Sequence, residues 1–180
     1  MTDQAELIYE RLLVVRAQAG DDAAFAELVE RYSPRLRYFL LKLLSSADSA
    51  DDALQDVWLD VLRNLPRLVD PQALRAWLYR IARDRAFGRL RKARRDEQPL
   101  DESQIVDTTA NEGEFSPEDA AQIHAALDRL PAEQREVLVL RFLEEMSYEE
   151  IARVVGCQLG TVRSRIHYGK RALRKALDES

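Results

Sequence analysis

Residues 147–177 constrain the fold more than any other stretch of the chain. Ser147-Tyr148-Glu149-Glu150 has the capping-box pattern, in which the serine hydroxyl and the glutamate carboxylate each satisfy an orphan backbone donor at a helix start. The short helix this opens, Tyr148 to Val155, meets Gly156, a residue suited to the left-handed conformation that ends helices. After Cys157-Gln158-Leu159 a further helix begins at Gly160-Thr161, so the segment reads as helix, short glycine-containing turn, helix. On the later helix Val162, Ile166, Leu173 and Leu177 make one inward stripe, and Arg163, Ser164, His167 and Arg171 lie away from it. That division suits a helix that enters the major groove of DNA, with donors outside and apolar residues inside. A solvated basic helix would explain the charge alone, but not the cap, the turn and the charge together.

The net charge of −5 argues at first against nucleic acid, because DNA binding leaves a basic footprint. The charge is segregated, however. Arg75, Arg80, Arg83, Arg85, Arg89, Arg91, Lys92, Arg94 and Arg95 are opposed only by Asp84, and residues 163–175 carry six basic side chains and no acid. Between the two blocks, residues 96–119 hold nine acids and no Lys or Arg.

The remaining chain reads as helices. Leu7, Ile8, Leu12 and Val15 recur at helical spacing up to Gly20, and Asp21 or Asp22 can cap a second helix through Phe25, Leu28, Val29 and Tyr32. Ser33-Pro34 predicts a restart or kink before that helix reaches Leu44. A third helix, from about Ala50 to Asn64, puts Leu54, Val57, Trp58, Val61 and Leu62 on one face. Pro71 opens a fourth, carrying Leu74, Trp77, Leu78, Ile81 and Phe87. The expected architecture is all-α: a helical domain over 1–95, an exposed, flexible acidic linker over 96–117, and a C-terminal helix-turn-helix domain over 118–180.

Several function classes find little support. The chain has a single cysteine, Cys157, two histidines, His124 and His167, and neither an HExxH motif nor a phosphate-binding glycine loop. No metal site, cofactor or enzymatic activity is expected. The N-terminus lacks the signature of a secretory signal and no apolar run approaches a membrane span, so a cytoplasmic protein without membrane insertion is expected.

The first basic block also interleaves aromatics, Trp77, Tyr79 and Phe87, among its arginines. Cationic groups along a backbone with aromatic faces for unstacked bases are the features that bind single-stranded DNA. Helical spacing to Leu74 and Ile81 explains Trp77 and Phe87 as core residues equally well, and Tyr79 falls between those positions.

DDAAFAELVERYSPRLRYFL, SADDALQDVWLDVLRNL, LRAWLYRIARDRAFGRLRKARR and LPAEQREVLVLRFLEEMSYEEIARVVGCQLGTVRSRIHYGKRALRKAL follow one another in this order over nearly the whole chain. The ordered set resembles the sigma factors of the extracytoplasmic-function group, the minimal two-domain kind. The resemblance implies a transcription initiation factor with core RNA polymerase and promoter DNA as partners, and commonly an anti-sigma factor. It implies that Leu54, Gln55, Asp56 and Trp58 meet the clamp-helix coiled coil of the polymerase. Asn64, Trp77, Tyr79, Arg80, Arg83, Arg85 and Arg91 would serve the minus-ten element. Thr161, Arg163, Ser164, His167, Tyr168 and Arg171 would serve the minus-thirty-five element. The acidic linker would pass through the polymerase cleft, and no covalent chemistry falls to the chain itself.

Two positions depart from the family pattern. Tyr168-Gly169-Lys170 stands where the family usually has an arginine, a small residue and a basic residue, and Gly169 costs about 1 kcal/mol against alanine inside a helix, which predicts fraying or bending there. Asp84 stands where Asn is frequent, and is expected to pair with a nearby arginine. The alternative to a sigma factor is a stand-alone helix-turn-helix regulator, which would bind duplex DNA without polymerase.

Overall fold

The computed structural model describes residues 3–96 and 117–178, and among these every regular element is helical. Most of the acidic stretch read as a linker lies outside the described residues. The N-terminal domain comprises α1 (Asp3–Gln18), α2 (Asp22–Leu44), α3 (Ala47–Asn64) and α4 (Leu74–Asp96). The C-terminal domain comprises α5 (Pro117–Asp128), α6 (Ala132–Leu138), α7 (Tyr148–Val155) and α8 (Leu159–Asp178).

Local chemistry sets the element ends. Gly20 turns the chain at φ +89°, and the Asp21 carboxylate then accepts from the amides of Ala23 and Ala24 to start α2. Asp70 does the same for the amide of Gln72, opening a 3-10 turn at Pro71–Ala73 that leads into α4. Contrary to the expected restart, α2 runs unbroken through Pro34 for 23 residues, about 35 Å. The proline removes one amide from the ladder, but packing on both flanks carries the helix past it. Tyr32 and Leu36, on either side of Pro34, are both buried.

The core joins Leu13 and Val14 of α1, Leu28, Leu36, Phe39 and Leu40 of α2, Ala50, Ala53, Val57 and Val61 of α3, and Leu74, Leu78 and Ala82 of α4. The small Ala50, Ala53, Ala82 and Ala86 are fully buried, which lets these helices approach closely. One expected face is reversed: Leu7, Ile8, Leu12 and Val15 are exposed, and the adjacent Leu13 and Val14 are the buried residues. Helical spacing identifies α1 correctly, but the helix is apolar on two sides and packs through the narrower one.

The two domains lie against each other, α4 on α7 and α2 on α6. Their buried side chains form one continuous cluster, from Leu13 through Phe39 and Tyr79 to Val137, Ile151 and Ile166.

Candidate nucleic-acid interface

The helix-turn-helix is built from local signals. Ser147 Oγ accepts from the amide of Glu150 at 3.1 Å, and Glu150 Oε2 accepts from the amide of Ser147 at 2.8 Å. α7 ends at Gly156, whose φ of +69° is the left-handed conformation that a side chain would strain. α8 then begins at Leu159, one residue before Gly160.

α8 divides into two faces. Val162, Ile166 and Gly169 are buried, whereas Thr161, Arg163, Ser164, His167, Tyr168 and Arg171 are all exposed. Ser164 Oγ donates to the carbonyl of Gly160 at 3.0 Å, leaving its lone pairs outward, and His167 and Tyr168 stand edge to face at 5.4 Å. Gly169 is not a weak point. A Cβ there would lie 3.2 Å from the Leu138 side chain, so the missing side chain is what lets α8 settle on α6. Arg165 belongs to the inner side despite its place in the basic block: it pairs with Glu133 at 2.9 Å and with the fully buried Glu136 at 3.6 Å.

α4 presents three faces. Toward the C-terminal domain, Arg75 donates to Glu150 at 2.9 Å and to the Glu144 carbonyl at 3.3 Å, and Arg80 donates to the Arg153 carbonyl at 3.0 Å. On the same side Arg83 grips Glu136 through two bonds, 2.8 and 3.3 Å, and stacks over the Phe87 ring at 4.4 Å. Toward α3, Arg85 pairs with Asp60, and Arg89 with Asp56 at 2.6 Å. The third face is open: Trp77 is half-buried, and Asp84 and Arg91 are exposed. Asp84 makes no ion pair among the described residues.

Tyr79 corrects the sequence reading. It is 0 % exposed, the largest fully buried side chain among the described residues, and meets Phe39 edge to face at 5.3 Å. Its position between the apolar positions of α4 puts it inside because α4 is covered on a second side by the C-terminal domain. In this arrangement it offers no face to a base.

Buried ionisable groups cluster where the domains meet. Burial pushes the Glu136 carboxyl above its ordinary pKa against the pull of Arg83 and Arg165. Burial acts upward on Glu150 too, but the Ser147 amide and the Arg75 guanidinium outweigh it and the net shift is downward. Lys42, 2 % exposed, reaches Asp128 at 2.9 Å. Nearby the Tyr38 hydroxyl and His124 Nδ1 are 2.5 Å apart, and burial, then Lys42, lowers the histidine's pKa.

On α3, Leu54 and Trp58 are half-buried, Trp58 donating to Ser33 Oγ at 3.0 Å, and Gln55 is exposed beside the Arg89-bound Asp56. Asn64 donates back to the Asp60 carbonyl at 2.8 Å. Sequence reasoning missed Leu59, 50 % exposed, which with Leu62, 56 % exposed, continues from Gln55 at four- and three-residue steps. Leu62 was expected to face inward with Val61. Val69, at the tip of the loop before α4, is 96 % exposed.

Two family models match the chain in this order: sigma-70 region 2 over residues 28–96 and sigma-70 region 4 over residues 120–173. The RNA polymerase sigma-H factor of Pseudomonas aeruginosa is 35 % identical, over 93 % of each chain. The ECF RNA polymerase sigma factor EcfG of Rhodopseudomonas palustris is also 35 % identical, over 80 % of each. The chain belongs to the extracytoplasmic-function group of sigma-70 factors. It is therefore a transcription initiation factor, one that joins RNA polymerase and directs it to promoters. Among solved structures, a sigma factor RpoE in complex with the anti-sigma factor NepR from Bartonella quintana matches at TM-score 0.74 and 29 % identity, covering 86 % of this chain and 96 % of that one. CnrH in complex with the cytosolic domain of CnrY matches at 0.70 and 27 %, covering 95 and 98 %. Region 2 thus spans most of α2 through α4, and region 4 contains the helix-turn-helix. No helix among the described residues is long and apolar enough to cross a membrane.

Proposed function

We propose that the sigma factor divides its work by helix face, over units running 1–95, 96–117 and 118–180. The observation that carries this reading is the sorting of α8: all six side chains expected at the minus-thirty-five element are exposed, while Arg165, equally basic, turns inward. Thr161, Arg163 and Ser164 lie in the first turns, the part of a recognition helix that meets base edges, and His167, Tyr168 and Arg171 follow along the groove and its phosphates. An exposed tyrosine in place of an arginine favours an upstream element read partly by apolar contact, such as with a thymine methyl.

The loop containing Val69 and the open face of α4, with Trp77 and Arg91, serve the minus-ten element together with Asn64, Arg80, Arg83 and Arg85. Flipping a base costs a few kcal/mol, which a pocket and cationic contacts to the strand offset. On α3, Leu54, Gln55, Asp56 and Trp58 meet the core polymerase, and the exposed Leu59 and Leu62 extend that surface with apolar area. The chain acts in the cytoplasm beside the polymerase, performs no covalent chemistry itself, and is held by an anti-sigma factor when idle.

Run-off transcription from the promoter upstream of the protein's own gene, with purified core polymerase, tests the reading. A transcript of defined start that depends on the protein is expected, weakened by Arg163→Ala at the upstream element and by Trp77→Ala at the melting step. Absence of both transcript and core binding would refute it.

A further inference from the structure

The loop between α3 and α4 is held from the far end of α1. Gln18, the last residue of that helix, donates through Nε2 to the carbonyl of Leu65 at 3.0 Å and to the carbonyl of Leu68 at 2.7 Å. Both neighbours are acceptors only, so the amide faces them with its NH2, and both of its hydrogens are used. The frame behind it is firm. Leu13 and Val14 of α1 are fully buried, and beyond Gln18 the chain is turned by Gly20 at φ +89° and closed by the Arg16–Asp21 pair at 2.6 Å. Within the loop, Leu65 is 2 % exposed, Leu68 packs on the core, and the Leu68 amide returns to the Leu65 carbonyl at 3.0 Å. One step beyond Leu68 the Val69 side chain is 96 % exposed, and one step further Asp70 caps the Gln72 amide at 2.9 Å. The tip is a single residue between two pinned ones.

We propose that Gln18 is a positioning residue for minus-ten recognition: by gripping the Leu68 carbonyl it fixes the plane of the Leu68–Val69 peptide, and with it the direction in which Val69 is presented to a promoter base. In a planar trans peptide the carbonyl and the amide point opposite ways. A Leu68 carbonyl turned toward α1 therefore aims the Val69 N–H away from it, and that N–H has no partner among the described residues. An outward donor beside an outward aliphatic side chain suits a base edge, the one bonding an acceptor and the other packing beside it. Without Gln18 the Leu65 carbonyl keeps the Leu68 amide, but the Leu68 carbonyl has only water and its peptide is free to rotate. The end of α1 does not need this contact, since Ala19 donates to the carbonyl of Val15 and Gly20 to that of Ala17. Gln18 thus acts on what the loop reads rather than on whether the domain folds. The inference rests on the reading that this loop serves the minus-ten element.

Run-off transcription by the holoenzyme tests this, on versions of the protein's own promoter that carry each base in turn at every minus-ten position, with folding followed by thermal melts. The variants are Gln18→Met, which keeps length and flexibility without the donor, Val69→Gly, which removes the side chain and frees the tip, and the two together. Gln18→Met should leave core binding and upstream discrimination intact. It should lower the preference for the best base at one or two minus-ten positions about fivefold or more, the low end of what a single base position commonly discriminates. Val69→Gly should flatten the same positions, and the double variant should be no worse than Val69→Gly alone, as for two residues acting through one group. A merely structural Gln18 would instead lower Tm and transcript on every template alike with base preferences unchanged, and that result would overturn the proposal. So would additive losses in the double variant, or a Gln18→Met effect at positions that Val69→Gly leaves untouched. Gln18→Ala takes the place of Gln18→Met if the latter does not fold, and failure of both to fold would refute the claim that the domain does without this contact. A Val69→Gly variant with every minus-ten preference intact would sink the reading of the loop itself, and the role of Gln18 with it; altered preferences there but not in Gln18→Met would sink the role of Gln18 alone.

Discussion

Arg163 and Arg165 stand two residues apart on one helix, and their truncation should have opposite consequences. Arg163 is exposed, and Arg165, 21 % exposed at its side chain, pairs with Glu133 and with the buried Glu136. Removing an exposed arginine away from special features changes stability by no more than about 0.5 kcal/mol. If Arg163 makes a base contact, its loss costs about 1–3 kcal/mol of recognition, roughly a 5- to 150-fold fall in promoter binding by the holoenzyme. Arg165→Ala leaves Glu136 with Arg83 alone. A fully orphaned buried charge costs about 3–5 kcal/mol, and the retained partner reduces this to an expected 1–3 kcal/mol. At about 2–4 °C of Tm per kcal/mol for a chain this long, the loss is measurable by calorimetry. Holoenzyme binding to a promoter with and without its upstream element, below both melting temperatures, gives the other half. Arg165→Ala abolishing upstream discrimination with Tm unchanged, or Arg163→Ala lowering Tm by several degrees, would show that the two faces of α8 have been assigned the wrong way round.

Gly169→Val should destabilise the C-terminal domain by about 1–3 kcal/mol through overpacking on Leu138, and Leu138→Ala in the same chain should recover part of it; two additive losses in thermal melts would refute the close approach. His124 has a lowered pKa in the folded chain, so below its ordinary value near 6.5 the unfolded chain binds the proton first. Its contribution to stability is full above pH 6.5 and lost as pH falls through the window beneath. Melts of the wild type from pH 7.5 to 5.0 should therefore fall more steeply than those of His124→Asn, and parallel curves would count against the burial. Leu62→Glu should weaken binding to core polymerase in a pull-down by tenfold or more while leaving Tm unaltered, because the side chain is largely in solvent.

The helix-turn-helix was legible because its signals are local: the reciprocal Ser147–Glu150 bonds and the left-handed Gly156 depend on residues three to nine positions apart. The misreadings have the opposite origin. α1 offers Leu12 and Val15 on one side and Leu13 and Val14 on another, and period alone does not say which side meets a neighbour. Tyr79 and the Arg75, Arg80 and Arg83 pairs depend on a domain more than 50 positions away along the chain. Gly169 illustrates the same limit. Its propensity cost is visible locally, whereas the Leu138 side chain that requires the missing Cβ comes from another helix. Of the residues proposed to face the promoter, those on α8 could be sorted by helix periodicity, but the division of α4 into three faces could not.

The length of α2 has a consequence for how the molecule melts. One unbroken helix packs on α1, α3 and α4 of its own domain and on α6 of the other, so heat cannot loosen either half of the molecule without disturbing the same 23 residues. Calorimetry should give a single endotherm with matching van't Hoff and calorimetric enthalpies. A variant that parted the domains would leave α6 without that support, and the C-terminal domain should then show its own, lower transition.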